Sequence, residues 1–181
     1  MIHELKISPD YPNNYWFEYE QGEVSNNDLI QCKEIKSSND FVFKVTRTVS
    51  EKSLLSYDFC FSDGPIFISP RLVGLLLNDK GFLRGVQFLD AVVVINNVNH
   101  LGYKVINVIR SLSCIDMEKS DSQPILSYLP DGPKRFNEIV FKENLTEEFC
   151  IARCLEYKQC IVMSNALRDF FIENNVRGLE L

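Results

Sequence analysis

The sequence predicts a single α+β domain, a mixed or antiparallel sheet carrying a few short helices, and three observations lead there. Apolar runs of strand length recur along the 181 residues, and a strand–helix–strand pattern occurs twice. The composition, 45% hydrophobic and 24% charged, is that of an ordinary globular chain. A chain of this length falls within the range of one domain, which is expected to span residues 1–181.

The N-terminal third reads as strands and turns. Tyr15, Phe17 and Tyr19 alternate with Trp16, Glu18 and Glu20, a period of two that assigns the two sets to opposite faces of a strand. Residues 41–45 make a further strand. The repeated unit comes next. Ile66-Phe67-Ile68-Ser69 leads to Leu72, Leu75 and Leu76 and then to Arg84-Gly85-Val86. Near the C-terminus, Ile161-Val162-Met163-Ser164 leads to Leu167, Phe170 and Phe171 and then to Arg177-Gly178-Leu179. In each unit the apolar run makes a strand and the serine caps a helix of about ten residues with one apolar stripe. The glycine then turns the chain into a second strand. Pro70 stands at the first helical position, where its missing N–H is harmless. The repeat reflects either duplication or the commonest way to build such a piece, and the wide recurrence of β–α–β pieces favours the second.

Between the units, residues 91–95 and 103–109 read as strands joined by a polar loop at 96–102, with His100 a solvated turn residue. Residues 119–135, holding Pro124, Pro130, Gly132 and Pro133, read as a long exposed loop. Residues 149–155 admit helix or strand, and alternation favours a strand paired with 160–163.

Several classes of function are excluded. A net charge of −6 offers no basic surface for phosphates, so no nucleic-acid partner is expected. No apolar run approaches the roughly 18 residues of a membrane span. The opening Met1-Ile2-His3-Glu4 carries an acid where a secretion signal carries bases, so a cytoplasmic location with six reduced cysteines is expected. With only His3 and His100, and with Cys150, Cys154 and Cys160 lacking paired close spacing, neither metal nor cofactor is expected. No nucleophile–base–orienter set is recognisable, and no catalytic residue is assigned. Arg84, Arg153 and Arg177 suit either an anion or charge-assisted bonds to carbonyls and carboxylates.

One stretch stands apart. Residues 7–32 contain no Lys or Arg, yet hold Asp10, Glu18, Glu20, Glu23 and Asp28 beside Tyr11, Tyr15, Trp16, Phe17 and Tyr19. Aromatics among carboxylates suit a contact surface for a basic protein, with Trp16 as anchor and Asp10, Glu18, Glu20, Glu23 and Asp28 as its rim. The plainer alternative is an N-terminal strand with one face in the core.

From Tyr57 onward the chain resembles a family of bacterial immunity proteins, the eleventh class in the polymorphic-toxin catalogue, formerly a domain of unknown function and of myxobacterial type. The resemblance rests on Asp58-Phe59-Cys60-Phe61-Ser62-Asp63-Gly64-Pro65-Ile66-Phe67-Ile68-Ser69, on Gly85-Val86-Gln87-Phe88-Leu89, on Tyr103-Lys104-Val105-Ile106-Asn107-Val108-Ile109 leading into Ile115-Asp116-Met117-Glu118-Lys119-Ser120, and on Ile161-Val162-Met163-Ser164 closing on Gly178-Leu179. It covers residues 57–181 and leaves 1–56 as a variable part. It implies an antidote that holds a cognate toxin domain, encoded by an adjacent gene, in a stoichiometric complex, and it supplies no catalytic residue. Two alternatives stay open: an enzyme that reverses the toxin's modification using Arg84 or Asp116, and an adaptor with no toxin.

Overall fold

The computed structural model describes residues 1–143 and 145–181. The first half of the chain forms β1 (Ile2–Glu4), β2 (Glu18–Glu20), α1 (Asn26–Leu29), β3 (Phe41–Lys44), α2 (Glu51–Leu54), β4 (Phe59–Cys60), β5 (Phe67–Ile68) and α3 (Pro70–Asn78). The second half forms β6 (Val86–Ile95), β7 (Val98–Val108), β8 (Ser111–Leu112), β9 (Asp121–Pro124), β10 (Lys134–Glu138), β11 (Ile151–Cys154), β12 (Ile161–Ser164) and α4 (Asn165–Glu173). The architecture is α+β: mixed sheets with a few short helices, as the sequence predicts.

Strands β2-β3-β6-β7-β5-β4 form the largest sheet, in that order, with β3 parallel to β6 and the other pairs antiparallel. Its two edges meet. Phe17, just before β2, bridges Ser62, just after β4, with the Phe17 N–H donating to the Phe61 carbonyl at 3.0 Å. The sheet therefore curls toward a barrel, its edge strands joined at this one bridge. Aromatic rings fill its interior. Phe43 stacks on Phe67 at 4.0 Å between centroids, Phe17 meets Phe67 edge-on at 5.0 Å, and Tyr19 stacks across the strand pair on Phe43 at 5.3 Å.

The loop expected at 96–102 contracts to two residues. Asn96 and Asn97 both take positive φ, 50° and 66°, giving the turn whose twist matches the strands it joins. The polar residues that read as loop are the outer end of β7. His100 is thus a half-buried strand residue, its Nε2 3.4 Å from Glu51 Oε1, and not a solvated turn histidine.

Strands β1-β12-β11-β8 form a second sheet that is covered on both faces. Ile151, Ile161 and Met163 face the main core, whereas Ala152, Cys154, Cys160 and Val162 face a smaller core with Leu112, Cys114 and Ile115. The strand at 149–155 is present and pairs with β12 as expected (Ile151↔Met163). Burial on both faces explains why all four residues of β11 are buried. All six cysteines are free, and Cys114 Sγ lies 3.1 Å from Cys154 Sγ in the smaller core.

Residues 119–135 are not the loop the sequence suggests. Strands β9 and β10 pair antiparallel as a two-stranded arm (Lys134↔Pro124), and only its tip, residues 125–133, is irregular. Proline at 124 is tolerated because this strand pairs on one side only.

The repeated unit holds for strand, cap and helix. Ser69 and Ser164 accept from the N–H of Leu72 and Leu167, and each helix runs nine residues. Gly85 and Gly178 take φ of +86° and +112°. The second unit lacks its closing strand: Leu179 makes one isolated antiparallel bridge to Ile7. The two caps also differ. Ser164 caps alone, whereas the buried Ser69 hydroxyl in addition donates to Asp58 Oδ1 at 2.9 Å. Ser164→Ala is expected to cost about 1 kcal/mol and Ser69→Ala about 2 kcal/mol, measured by urea unfolding. Equal losses would deny Ser69 its second role.

Candidate partner interface

The aromatic–acidic stretch is built from the core outward. Tyr15, Phe17 and Tyr19 are buried, and Trp16, Glu18 and Glu20 are exposed, as the alternation predicts. Behind them Tyr11, Tyr57 and Phe61 pack edge to face, with Tyr11 4.9 Å from Tyr57 and 5.1 Å from Phe61. Trp16 lies outside this cluster, its ring nearly parallel to that of Phe61 (18°, 6.5 Å between centroids), and remains 44% exposed. A half-exposed indole held against a rigid ring has little rotamer freedom left to lose on binding, as a preformed anchor requires.

The acids do not act as one group. Glu18 is exposed and shares the outer face with Trp16; no ion pair engages it among the described residues. Glu20 pairs with Lys44 on the neighbouring strand β3. Asp28 closes a capping box on α1, and the Ser25 hydroxyl and N–H hold its carboxyl below the usual range. Asp10 and Glu23 are exposed, each outside any strand or helix. The geometry thus leaves Trp16 and Glu18 as the juxtaposed pair.

A second exposed apolar surface is the arm tip, within the segment 119–135 that the sequence reads as exposed. Ile125, Leu126, Tyr128 and Leu129 are exposed there, Tyr128 at 79%, and a turn bonded from Leu129 N–H to the Leu126 carbonyl (2.9 Å) holds them.

Residues considered for chemistry are dispersed. Cys150 lines a cavity of about 450 Å³ with Arg84, Arg110 and Phe82 at the N-terminus of α4, while Cys154 and Cys160 lie in the smaller core. Burial pushes the Cys150 thiol up, partly offset by Arg84 and Arg110, and it donates to the Gly81 carbonyl at 3.3 Å. Arg110 is itself paired with Glu147 at 2.7 Å. Asp116 accepts from the N–H of Glu118 and Lys119 and so shapes a turn. Among the described residues no three His, Cys, Asp or Glu side chains converge as a metal ion requires. Nor is any helix among them long and apolar enough to cross a membrane. Arg177 donates to Ser56 Oγ and stacks over Tyr57, its guanidinium carbon 4.6 Å from the ring centroid. Arg153 alone of the three arginines is buried. Comparison with known proteins finds no protein-family model and no curated protein that matches this chain.

Proposed function

We propose that the protein is an immunity protein, a cytosolic antidote that holds a cognate bacterial toxin domain in a one-to-one complex and covers its active site. The observation that carries this reading is Trp16: a half-exposed indole stacked on Phe61, next to a Glu18 that no ion pair engages among the described residues, in a stretch that contains acids and no bases. Such an anchor supplies contact energy at small entropic loss, and the acid beside it steers a basic partner. The order of motifs from Asp58 to Leu179 supports the same role through family likeness. A second contact surface, the arm tip at Ile125, Tyr128 and Leu129, is favoured by its exposed apolar side chains.

The test is co-expression with the product of the adjacent gene. A complex that co-purifies at one to one, with protection lost once the toxin exceeds the antidote, is the expected result. Protection at a small fraction of the toxin concentration would favour an enzyme that reverses the toxin's modification. A neighbouring gene product that is neither toxic nor bound would favour an adaptor.

A further inference from the structure

We propose that the cavity lined by Arg153 is a binding site for a small molecule bearing a carboxylate. This inference goes beyond partner binding and does not depend on it.

Arg153 sits on β11 and, through the alternation of that strand, faces the main core beside Ile151. It is 7% exposed. Nη1 donates to the Lys158 carbonyl at 2.8 Å, but the fully buried Nε has no partner among the described residues. No carboxylate pairs with the guanidinium among them. Burial holds it below the usual arginine range, and the groups near enough to favour its charge are the thiols of Cys32 and Cys160. Burial pushes the Cys32 thiol up, so it is neutral near pH 7 and supplies no countercharge. A guanidinium cannot shed its proton to escape burial, and an unpaired buried charge is strongly destabilising.

The space beside this charge has the size and lining for a ligand. The cavity measures about 340 Å³ and lies where α1, the loop before β5, β7 and the β11–β12 pair meet. Small-molecule sites begin at roughly 300 Å³ and combine apolar walls with a few convergent polar groups. Here Ile106 and Ile161 supply apolar wall, while Asn26, Asn27 and Gln159 supply neutral amides that donate or accept. One guanidinium in the cavity wall matches the single charge of one carboxylate. A phosphate dianion would be left half neutralised by that one cation. A bound carboxylate would also tie the curled sheet to β11 and β12, which flank the cavity from two sides.

The experiment heats the full chain with sodium acetate, propionate, benzoate or phosphate at matched ionic strength, and follows the same additions by isothermal titration. Saturable binding of a carboxylate at one site per chain is expected, raising the unfolding midpoint by roughly 5 °C or more at a hundredfold excess over Kd. Arg153→Met should abolish both responses. Because that variant removes a core residue, Gln159→Glu provides a second arm. A carboxylate placed in the cavity wall should raise the midpoint without ligand and remove the response to added carboxylate. Absence of a saturable response in the unaltered protein would overturn the proposal. So would tighter binding of phosphate than of any carboxylate, or a response retained in Gln159→Glu.

Discussion

Replacing Asp58 by Ala is expected to destabilise the protein by about 3 kcal/mol, the largest stability loss foreseen for a single polar side chain here. Asp58 is 3% exposed and accepts from four donors: Ser69 Oγ at 2.9 Å, Arg71 Nε at 3.0 Å, Arg71 Nη2 at 2.7 Å and the Arg177 N–H at 3.0 Å. These donors come from the N-terminus of α3 and from the segment after α4, so one carboxylate fastens both repeated units to the start of β4. The Asp58 backbone adds to the junction, its N–H donating to the Arg177 carbonyl at 3.0 Å and its carbonyl accepting from the Ser69 N–H at 2.8 Å. Removing the side chain leaves the Ser69 hydroxyl and the Arg177 N–H without acceptors. Arg71 is half exposed and also donates to the Asn174 and Asn175 carbonyls, which keeps the loss below that of a wholly buried pair. Asp58→Asn tests the geometry more sharply. Its amide NH2 would face a donor on whichever side it points, so the near-isosteric change should cost nearly as much as Ala. Urea unfolding of both variants measures this, and losses under 1 kcal/mol in both would remove the network from any account of the fold.

How far this was legible depends on whether the interactions are local. Ser69 and Ser164 read as caps because a cap is written within three residues of sequence. Gly85 and Gly178 read as turns because few other residues accept their backbone; at Gly178 a Cβ would lie 2.6 Å from the Phe59 carbonyl oxygen. The alternation around Phe17 gave the correct core face at every position from Tyr15 to Glu20. Long-range pairings were not legible. No local pattern brings Asp58 to Arg177 across 119 positions, or closes the sheet from Phe17 to Ser62. Asn99 and His100 misled because polarity is a proxy for loops, whereas the exposed end of a long hairpin is also polar. For the candidate interface, composition proposed Trp16 and Glu18 among six residues, but it could not show that Lys44 engages Glu20 or that Asp28 serves as a cap. The burial of Arg153 was hidden for a related reason. Its strand is covered on both faces, and sequence alternation assumes that one face is wet.

On the proposed reading, Trp16→Ala should weaken the complex with the partner by 2 kcal/mol or more, about thirtyfold in Kd, while lowering stability far less. The indole keeps 44% of its surface exposed in the free protein, so the area it can still bury against a partner is large. The aromatic ring it stacks on, Phe61, remains held by Tyr11 when the indole is removed. The acids separate the contact from its steering. Glu18→Lys reverses the exposed charge beside the anchor and should slow association with a basic partner and flatten its salt dependence. Glu20→Lys breaks the pair with Lys44 and places two cations together, so its effect on association includes a local repulsion that Glu18→Lys lacks. Asp28→Asn should loosen α1 and leave association nearly unchanged, because its carboxylate is already bound to Ser25. Surface plasmon resonance at two salt concentrations resolves these terms. If Trp16→Ala and Glu18→Lys bind like the unaltered protein while Tyr128→Ala and Leu129→Ala bind weakly, the anchor lies on the β9–β10 arm, and the acid-only stretch is an ordinary strand with one wet face.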